Sequence, residues 1–220
     1  MTRAALAIDL GGTELRAAVV EANGHVAAFA ATPTDAQGGP DAVIAQMVAL
    51  LDRVRSEAPA AEIVGLGVGA PGPLDPDAGI VVDAPTLLGW RNVPLTSILS
   101  ERLGLAVQLE NDANAAALGE WRFGAGQGTR SMVFITVSTG VGGGVIVDGH
   151  LLHGRRGLAG EIGHMAVSEQ PVRCSCGGLG CWEAFASGTA LAREASKLVE
   201  SGGAPEIGRR LIRLLHRLRV

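Results

Sequence analysis

Tyrosine is missing from this chain, and three Trp and four Phe are the only aromatics in 220 residues. A core without aromatics has to be packed with Val, Leu, Ile and Ala. Charge is scarce too: Asp, Glu, Lys and Arg make up 18% of the chain against 47% hydrophobic residues. That balance excludes a disordered chain, which lacks the apolar surface to offset the entropy of ordering. A formal net charge of -4 argues against nucleic-acid binding by phosphate neutralisation. Only three cysteines are present, all between 174 and 181. An odd count in one tight cluster does not make a disulfide framework and fits a reducing cytoplasm. No apolar run approaches the ~18 residues of a membrane helix. The opening MTRAALAIDLGGT is cut by Asp9 before a signal-peptide core develops. A cytoplasmic protein with neither a membrane nor a nucleic-acid partner is expected. Glycine, in contrast, is abundant: 32 residues, about twice the usual share, which backbone geometry has to explain.

Along the chain, strand and helix patterns alternate. Leu6–Leu10 and Leu15–Val20 read as strands flanking a glycine pair, and Asn23-Gly24 is a hairpin signal. Val43, Ile44, Met47, Leu50, Leu51 and Val54 fall at helical spacing. Ile63–Val68 is a β-branched strand running into Gly69-Ala70-Pro71-Gly72-Pro73. Pro94–Leu103 is a helix stopped by Gly104, Leu105–Leu109 a strand, and Asn111–Ala117 the start of an Ala-rich helix. This is an α/β order, with a parallel or mixed sheet under helices. The pattern then restarts: strand Met132–Val137, a glycine-rich turn over Thr139–Gly144, a return strand to Val147, and the turn Asp148-Gly149. A weak structural repeat opening two lobes is expected, 1–117 and 118–220, with the boundary in the stretch 117–130.

Four groups of residues carry chemistry. In Asp9-Leu10-Gly11-Gly12-Thr13 the glycines let backbone N–H groups approach an oxyanion, Thr13 adds a hydroxyl, and Asp9 suits Mg²⁺ or its waters. Alone, it also reads as a hairpin turn. Ser138-Thr139-Gly140-Val141-Gly142-Gly143-Gly144 supplies a second such loop, and two of them would clamp a polyphosphate. Neither is a Walker A loop or a Rossmann fingerprint, since neither opens directly into a helix. Glu110-Asn111-Asp112 stands where a strand meets a helix, where a carboxylate can take a proton from a hydroxyl or simply cap the helix. His164 with Cys174, Cys176 and Cys181 forms a Cys₃His set, a closed tetrahedral arrangement that favours structural over catalytic zinc. Glu161 and Glu183 flank that set.

DLGGT at 9–13, END at 110–112, STGVGGG at 138–144, EIGH at 161–164 and CSCGGLGCWE at 174–183, in that order, resemble the ROK family of sugar kinases and repressors from about residue 4 to 193. The resemblance implies an actin-like ATPase (ribonuclease H-like) fold, with ATP and sugar meeting in an interlobe cleft. It implies Asp112 as the base that deprotonates a hexose hydroxyl for attack on the γ-phosphate. Gly72, Thr86, Asn111, Asp112, Glu161, His164 and Glu183 would hold the sugar, with the segment Thr86–Trp90 as part of its wall. Asp9, Gly11, Gly12, Thr13, Thr139, Gly140, Gly142 and Gly143 would hold Mg²⁺-ATP. His164 would serve zinc with one ring nitrogen and sugar with the other.

The activity so implied is phosphorylation of glucose at its C6 hydroxyl. The alternatives are an N-acetylmannosamine or other hexose kinase, and a sugar-binding chain with little turnover. A homodimer is a further implication. Three departures from the family pattern stand out. Pro85-Thr86-Leu87 replaces a PNL-type segment, no helix-turn-helix precedes the first strand, and family members run longer, so the second lobe is expected to be incomplete. The tail over 207–219 reads as an amphipathic helix with Leu211, Leu214, Leu215 and Leu218 on one face.

Overall fold

The computed structural model describes residues 2–155 and 157–202, with Glu206, Arg209 and Arg210. The helix expected over 207–219 therefore lies outside the described residues, apart from Arg209 and Arg210. The chain divides into two compact units, Met1–Gly128 and Thr129–Val220.

In the first unit, strand β1 (Thr2–Leu10) buries Ala4, Leu6, Ile8 and Leu10 on one face, the period of two that a half-covered strand requires. It turns through the glycine pair into β2 (Glu14–Glu21), which pairs with it antiparallel. Asn23-Gly24 then turns the chain into β3 (Val26–Pro33). β3 carries no clear signal in the sequence, because Ala27, Ala28, Ala30 and Ala31 blur its alternation. Helix α1 (Gly39–Glu57) buries Val43, Ile44, Met47, Leu50, Leu51 and Val54, the six residues its spacing predicts. Strand β4 (Ala61–Ala70) follows, then short strands β5 (Leu74–Asp75), β6 (Ile80–Asp83) and β7 (Arg91–Val93), which form a small antiparallel sheet of their own. Helix α2 (Leu95–Leu103) stops at Gly104, whose φ of 65° is left-handed. Strand β8 (Val107–Asn111) leads into helix α3 (Asp112–Phe123).

The main sheet has the order β3-β2-β1-β4-β8. β4 is parallel to both β1 and β8, so three strands end at one level: Asp9 pairs with Gly69, Gly69 with Glu110, and Ala70 with Asn111. α1 and α2 share one core with the Leu6, Val68 and Leu109 face. Gly69 points to the other face, where a Cβ would lie 3.7 Å from Ala115 of α3. α3 runs unbroken past residue 117, and the division between the units follows Gly128, within the stretch 117–130.

The second unit begins with β9 (Met132–Val137), β10 (Val141–Val147) and β11 (His150–Leu151), in the order β11-β10-β9. This repeats the antiparallel meander β3-β2-β1. The glycine-rich turn is shorter than expected. Gly142, Gly143 and Gly144 lie inside β10, paired with Thr136, Ile135 and Phe134 of β9. A 3-10 turn, Ile162–His164, packs on β10, followed by helices α4 (Glu183–Ala186) and α5 (Gly188–Glu200). Among the described residues this unit buries few large apolar side chains, and Cys174, Cys181 and Ala184 form a small cluster of their own.

Ile44 is fully buried, whereas Phe29 is more than half exposed. Ile44→Ala should therefore cost about 2–5 kcal/mol and Phe29→Ala about 0.5 kcal/mol or less. Urea midpoints of the two variants against the parent check the difference.

Candidate functional site

The carboxyl ends of parallel strands are where α/β sheets bind ligands, and here they carry Asp9, Gly72 just past β4, and Glu110-Asn111-Asp112. Each polar group at this edge is handled differently. Asp9 Oδ2 accepts a hydrogen bond from Arg16 Nη1 at 2.9 Å, and Arg16 also pairs with Glu14 at 2.7 Å. Glu110 Oε1 accepts from the Asn111 backbone N–H at 2.9 Å and from Asn114 Nδ2 at 3.0 Å. Asn111 caps α3: its Oδ1 accepts from the N–H groups of Ala113 and Asn114 at 3.0 and 3.1 Å. Its Nδ2 lies 3.7 Å from where a Cβ on Gly72 would be.

Asp112 Oδ1 accepts from Ala113 N–H at 2.8 Å. The residue as a whole is exposed, yet the protein around its carboxyl withdraws enough water to raise its pKa above the ordinary carboxylate value. The Ala113 N–H opposes the rise, the charge of Asp9 adds to it, and the Asn111 side chain lowers it. The cap on α3 and the carboxyl with the raised pKa thus belong to neighbouring residues. Burial raises the Asp112 carboxyl above its ordinary value, while Glu110 holds Asn111 and Asn114 in place.

The first glycine loop closes at the same edge. Gly11 N–H donates to Glu14 O at 3.0 Å, and the Gly11 and Thr13 carbonyls accept from Thr34 Oγ1 and N–H at 2.7 and 3.0 Å. Among the described residues, no hydrogen bond engages the N–H groups of Gly12 and Thr13. A Cβ at residue 12 would lie 2.7 Å from Cβ and Oγ1 of Thr86, so glycine is required there for Thr86 to approach. Thr86 is exposed, whereas Leu87 and Trp90 are in the core. Only part of the segment 86–90 is therefore available as a wall.

The loop of the second unit repeats this arrangement. The carbonyls of Ser138 and Thr139 accept from Gly188 N–H at 2.7 Å and Thr189 Oγ1 at 2.8 Å. Val141 N–H donates to Glu183 Oε2 at 3.0 Å. The N–H groups of Thr139 and Gly140 are engaged by no hydrogen bond among the described residues. In both loops the carbonyls are held from behind and two consecutive N–H groups are left over, the arrangement that suits an anion. Gly143 has a packing reason as well, since a Cβ there would come within 2.5 Å of Ile162.

His164, Cys174, Cys176 and Cys181 place one ligand atom each within 4.8 Å of one another. Cys176 Sγ and Cys181 Sγ are 3.7 Å apart, and His164 Nδ1 is 3.5 Å from Cys174 Sγ. Zinc bound tetrahedrally with bonds of ~2.3 Å needs ligand separations of about 3.8 Å, so the four side chains fit the ion. Burial and the neighbouring sulfurs push the Cys181 thiol up to about 11, while the Gly178 backbone holds Cys176 below the usual thiol value; a bound cation removes the cost of ionising Cys181. His164 Nε2 lies on the opposite side of the ring from the thiols, 3.6 Å from Glu161 Oε2.

Thr34, Thr189 and Glu110 were not singled out as site residues by sequence reasoning. Thr34 and Thr189 bond loops 23 and 50 residues distant in the chain, and no local signal marks such partners.

The fold is that of the actin-like ATPases, and the chain belongs to the ROK family, whose model matches residues 5–214. A glucokinase from Halalkalibacterium halodurans is 40% identical over 193 residues, covering 86% of this chain and 58% of that protein. An N-acetylmannosamine kinase from Salmonella newport is 41% identical over 190 residues, covering 86% of this chain and 63% of that protein. A crystal structure of a ROK family glucokinase from Streptomyces griseus in complex with glucose and AMPPNP matches with a TM-score of 0.77 at 38% identity, covering 92% of this chain and 62% of that one. The chain thus spans less than two thirds of the length of these relatives.

Two measurements test the site. Metal analysis of the purified protein should give about one zinc per chain, lost in Cys176→Ser with a lower Tm. Asp112→Asn should leave Tm at pH 7 unchanged or slightly raised. A folded-state pKa above the unfolded value of ~3.9 means that Asp112 stabilises the fold only in acid. That contribution is lost as pH rises through the folded value, so the neutral amide forfeits nothing at pH 7.

Proposed function

We propose that this chain belongs to a kinase that transfers the γ-phosphoryl group of ATP to the C6 hydroxyl of a hexose, with glucose the favoured substrate. The observation that carries the reading is the pairing of Asn111 and Asp112 at the strand ends, beside Asp9 and the N–H groups of Gly12 and Thr13. Because Asn111 Oδ1 is spent on the helix cap, its Nδ2, which also favours the ionised form of Asp112, is the donor it can offer to substrate. That amide donates to the sugar oxygen while Asp112 Oδ2 accepts the hydroxyl proton. The oxygen is thereby oriented and made nucleophilic in one place. A raised pKa makes Asp112 a better proton acceptor than an ordinary carboxylate, provided it is ionised.

Phosphoryl transfer asks mainly for positioning and charge neutralisation. The N–H pairs at Gly12-Thr13 and Thr139-Gly140 would take phosphate oxygens. Asp9, whose Oδ1 is engaged by no hydrogen bond among the described residues, would hold Mg²⁺ through water. The ion supplies charge neutralisation to the phosphates. Glu161 and His164 Nε2 form an acceptor beside a donor-or-acceptor, suited to vicinal sugar hydroxyls, and Glu183 is assigned to the same sugar. Zinc would be held by His164 Nδ1 and the three thiols, with a structural role. The reducing cytoplasm suits such thiolates.

A second reading, an N-acetylmannosamine kinase, rests on the identity to the Salmonella newport relative, which matches that of the glucokinase. Coupled ADP release measured across hexoses and N-acetylhexosamines separates the two, with glucose expected to show the highest kcat/KM. Asp112→Asn should lower kcat by about 10²–10⁴-fold. The pH profile of kcat/KM should fall on the acid side at a pH above the usual carboxylate range, because protonated Asp112 cannot accept the hydroxyl proton. Glucose binding without ADP release at high protein concentration would instead support a sugar-binding chain.

A further inference from the structure

Glu183 makes contacts that holding a sugar does not explain. Its Oε2 accepts the Val141 N–H at 3.0 Å and lies against Gly140, where any Cβ would collide with it. Its Oε1 accepts from Ser175 Oγ at 3.0 Å and sits 3.7 Å from Cys174 Sγ. One carboxylate therefore ties the start of β10, at the edge of the second glycine loop, to the stretch of chain that carries the thiols. The other anchors of that loop, Gly188 N–H on Ser138 O and Thr189 Oγ1 on Thr139 O, follow Glu183 in the chain within a few residues. Among the described residues, the bonds that reach 138–141 from beyond the β9–β10 hairpin come from Glu183, Gly188 and Thr189, in a segment that begins two residues after Cys181.

We propose that Glu183 is a positioning residue that couples the Cys₃His metal site to the anion-binding geometry of Thr139 and Gly140, with Ser175 fixing the carboxylate from the metal side. The inference rests on reading that loop as a phosphate site. With the metal bound, residues 174–181 are closed into one shape, Ser175 orients the Glu183 carboxylate, and Val141 N–H is held back. The next two N–H groups upstream then project together. With the metal removed, the thiols no longer share a centre and Ser175 is released. Glu183 then loses the bond that aims it, and the Val141 N–H loses its acceptor. The metal site would therefore act on nucleotide affinity through a carboxylate that is itself no metal ligand.

The test is amide hydrogen exchange over 138–141 together with Mg-ADP titration, on zinc-loaded and chelated full-length chain. In the parent, chelation should raise exchange at Val141 and weaken Mg-ADP by about fivefold to tenfold. Glu183→Ala should keep one zinc yet show fast exchange and weak Mg-ADP binding whether or not the metal is present. Glu183→Gln, which keeps an acceptor for Val141 N–H, should restore part of both. Ser175→Ala removes neither a ligand nor a loop contact, and should reproduce part of the loss with zinc retained. It also keeps the proposal testable should Glu183→Ala fail to fold. Exchange at 138–141 that ignores chelation, or that responds equally in the parent and Glu183→Ala, overturns the coupling. Coupled exchange with no Mg-ADP binding in any form supports the brace and overturns the nucleotide reading of the loop.

Discussion

Parallel pairing of β1, β4 and β8 is the constraint on which the first unit's chemistry depends. Because Asp9, Gly69 and Glu110 stand abreast in register, the segments that leave these strands bring several acidic groups to one edge. Acidic groups so placed repel one another unless each is dealt with separately. Arg16 takes up Asp9, and the Asn111 and Asn114 amides take up Glu110. Asp112 is left with its own i+1 N–H, the Asn111 side chain and a raised pKa. It is to this last group that we assign the proposed role of base. The cap on α3 sharpens this, since using Asn111 Oδ1 on the backbone turns that side chain into a donor.

The second unit meets a different constraint. Among its described residues the larger buried apolar side chains are few, Val141 and Ile146 beside alanines and two thiols, and they leave the glycine loop to be held by other means. Hydrogen bonds and a Cys₃His cluster do that work instead. Where apolar burial is limited, a bound metal contributes folding free energy directly, and a carboxylate such as Glu183 can pass the resulting order to its neighbours. The two units reach the same loop geometry, carbonyls tied back and two N–H groups forward, by different means: a threonine from the adjacent strand end in one, an α-helical N-terminus and a glutamate in the other.

Much of this was legible in the sequence. The helix over 41–57, the strand ends, the turn at Asn23-Gly24 and the Cys₃His set follow from spacing and residue type, which are local. Strand β3 was not legible, because alanine on both faces erases the alternation that marks a strand. The sequence reads 139–144 as a glycine-rich turn, whereas β10 uses Gly142, Gly143 and Gly144 in its ladder, and Gly143 admits Ile162. The approach of Thr86 to Gly12, the grip of Thr34 and Thr189 on the two loops, and the bond from Glu183 to Val141 all join residues far apart in the chain. Composition and periodicity carry no trace of such pairs. The four metal ligands were within reach only because three of them lie within eight residues and the cysteines have no other partner chemistry.

We propose that a hexose hydroxyl, oriented by Asn111 and deprotonated by Asp112, attacks the γ-phosphorus of ATP. Phosphorus NMR of the chain with Mg-ATP and glucose observes the transferred group itself. A sugar phosphomonoester resonance, split by the two C6 protons and growing as the ADP signals grow, is the predicted result. Growth of inorganic phosphate alone, or an unchanged ATP spectrum in the presence of saturating glucose, would contradict it.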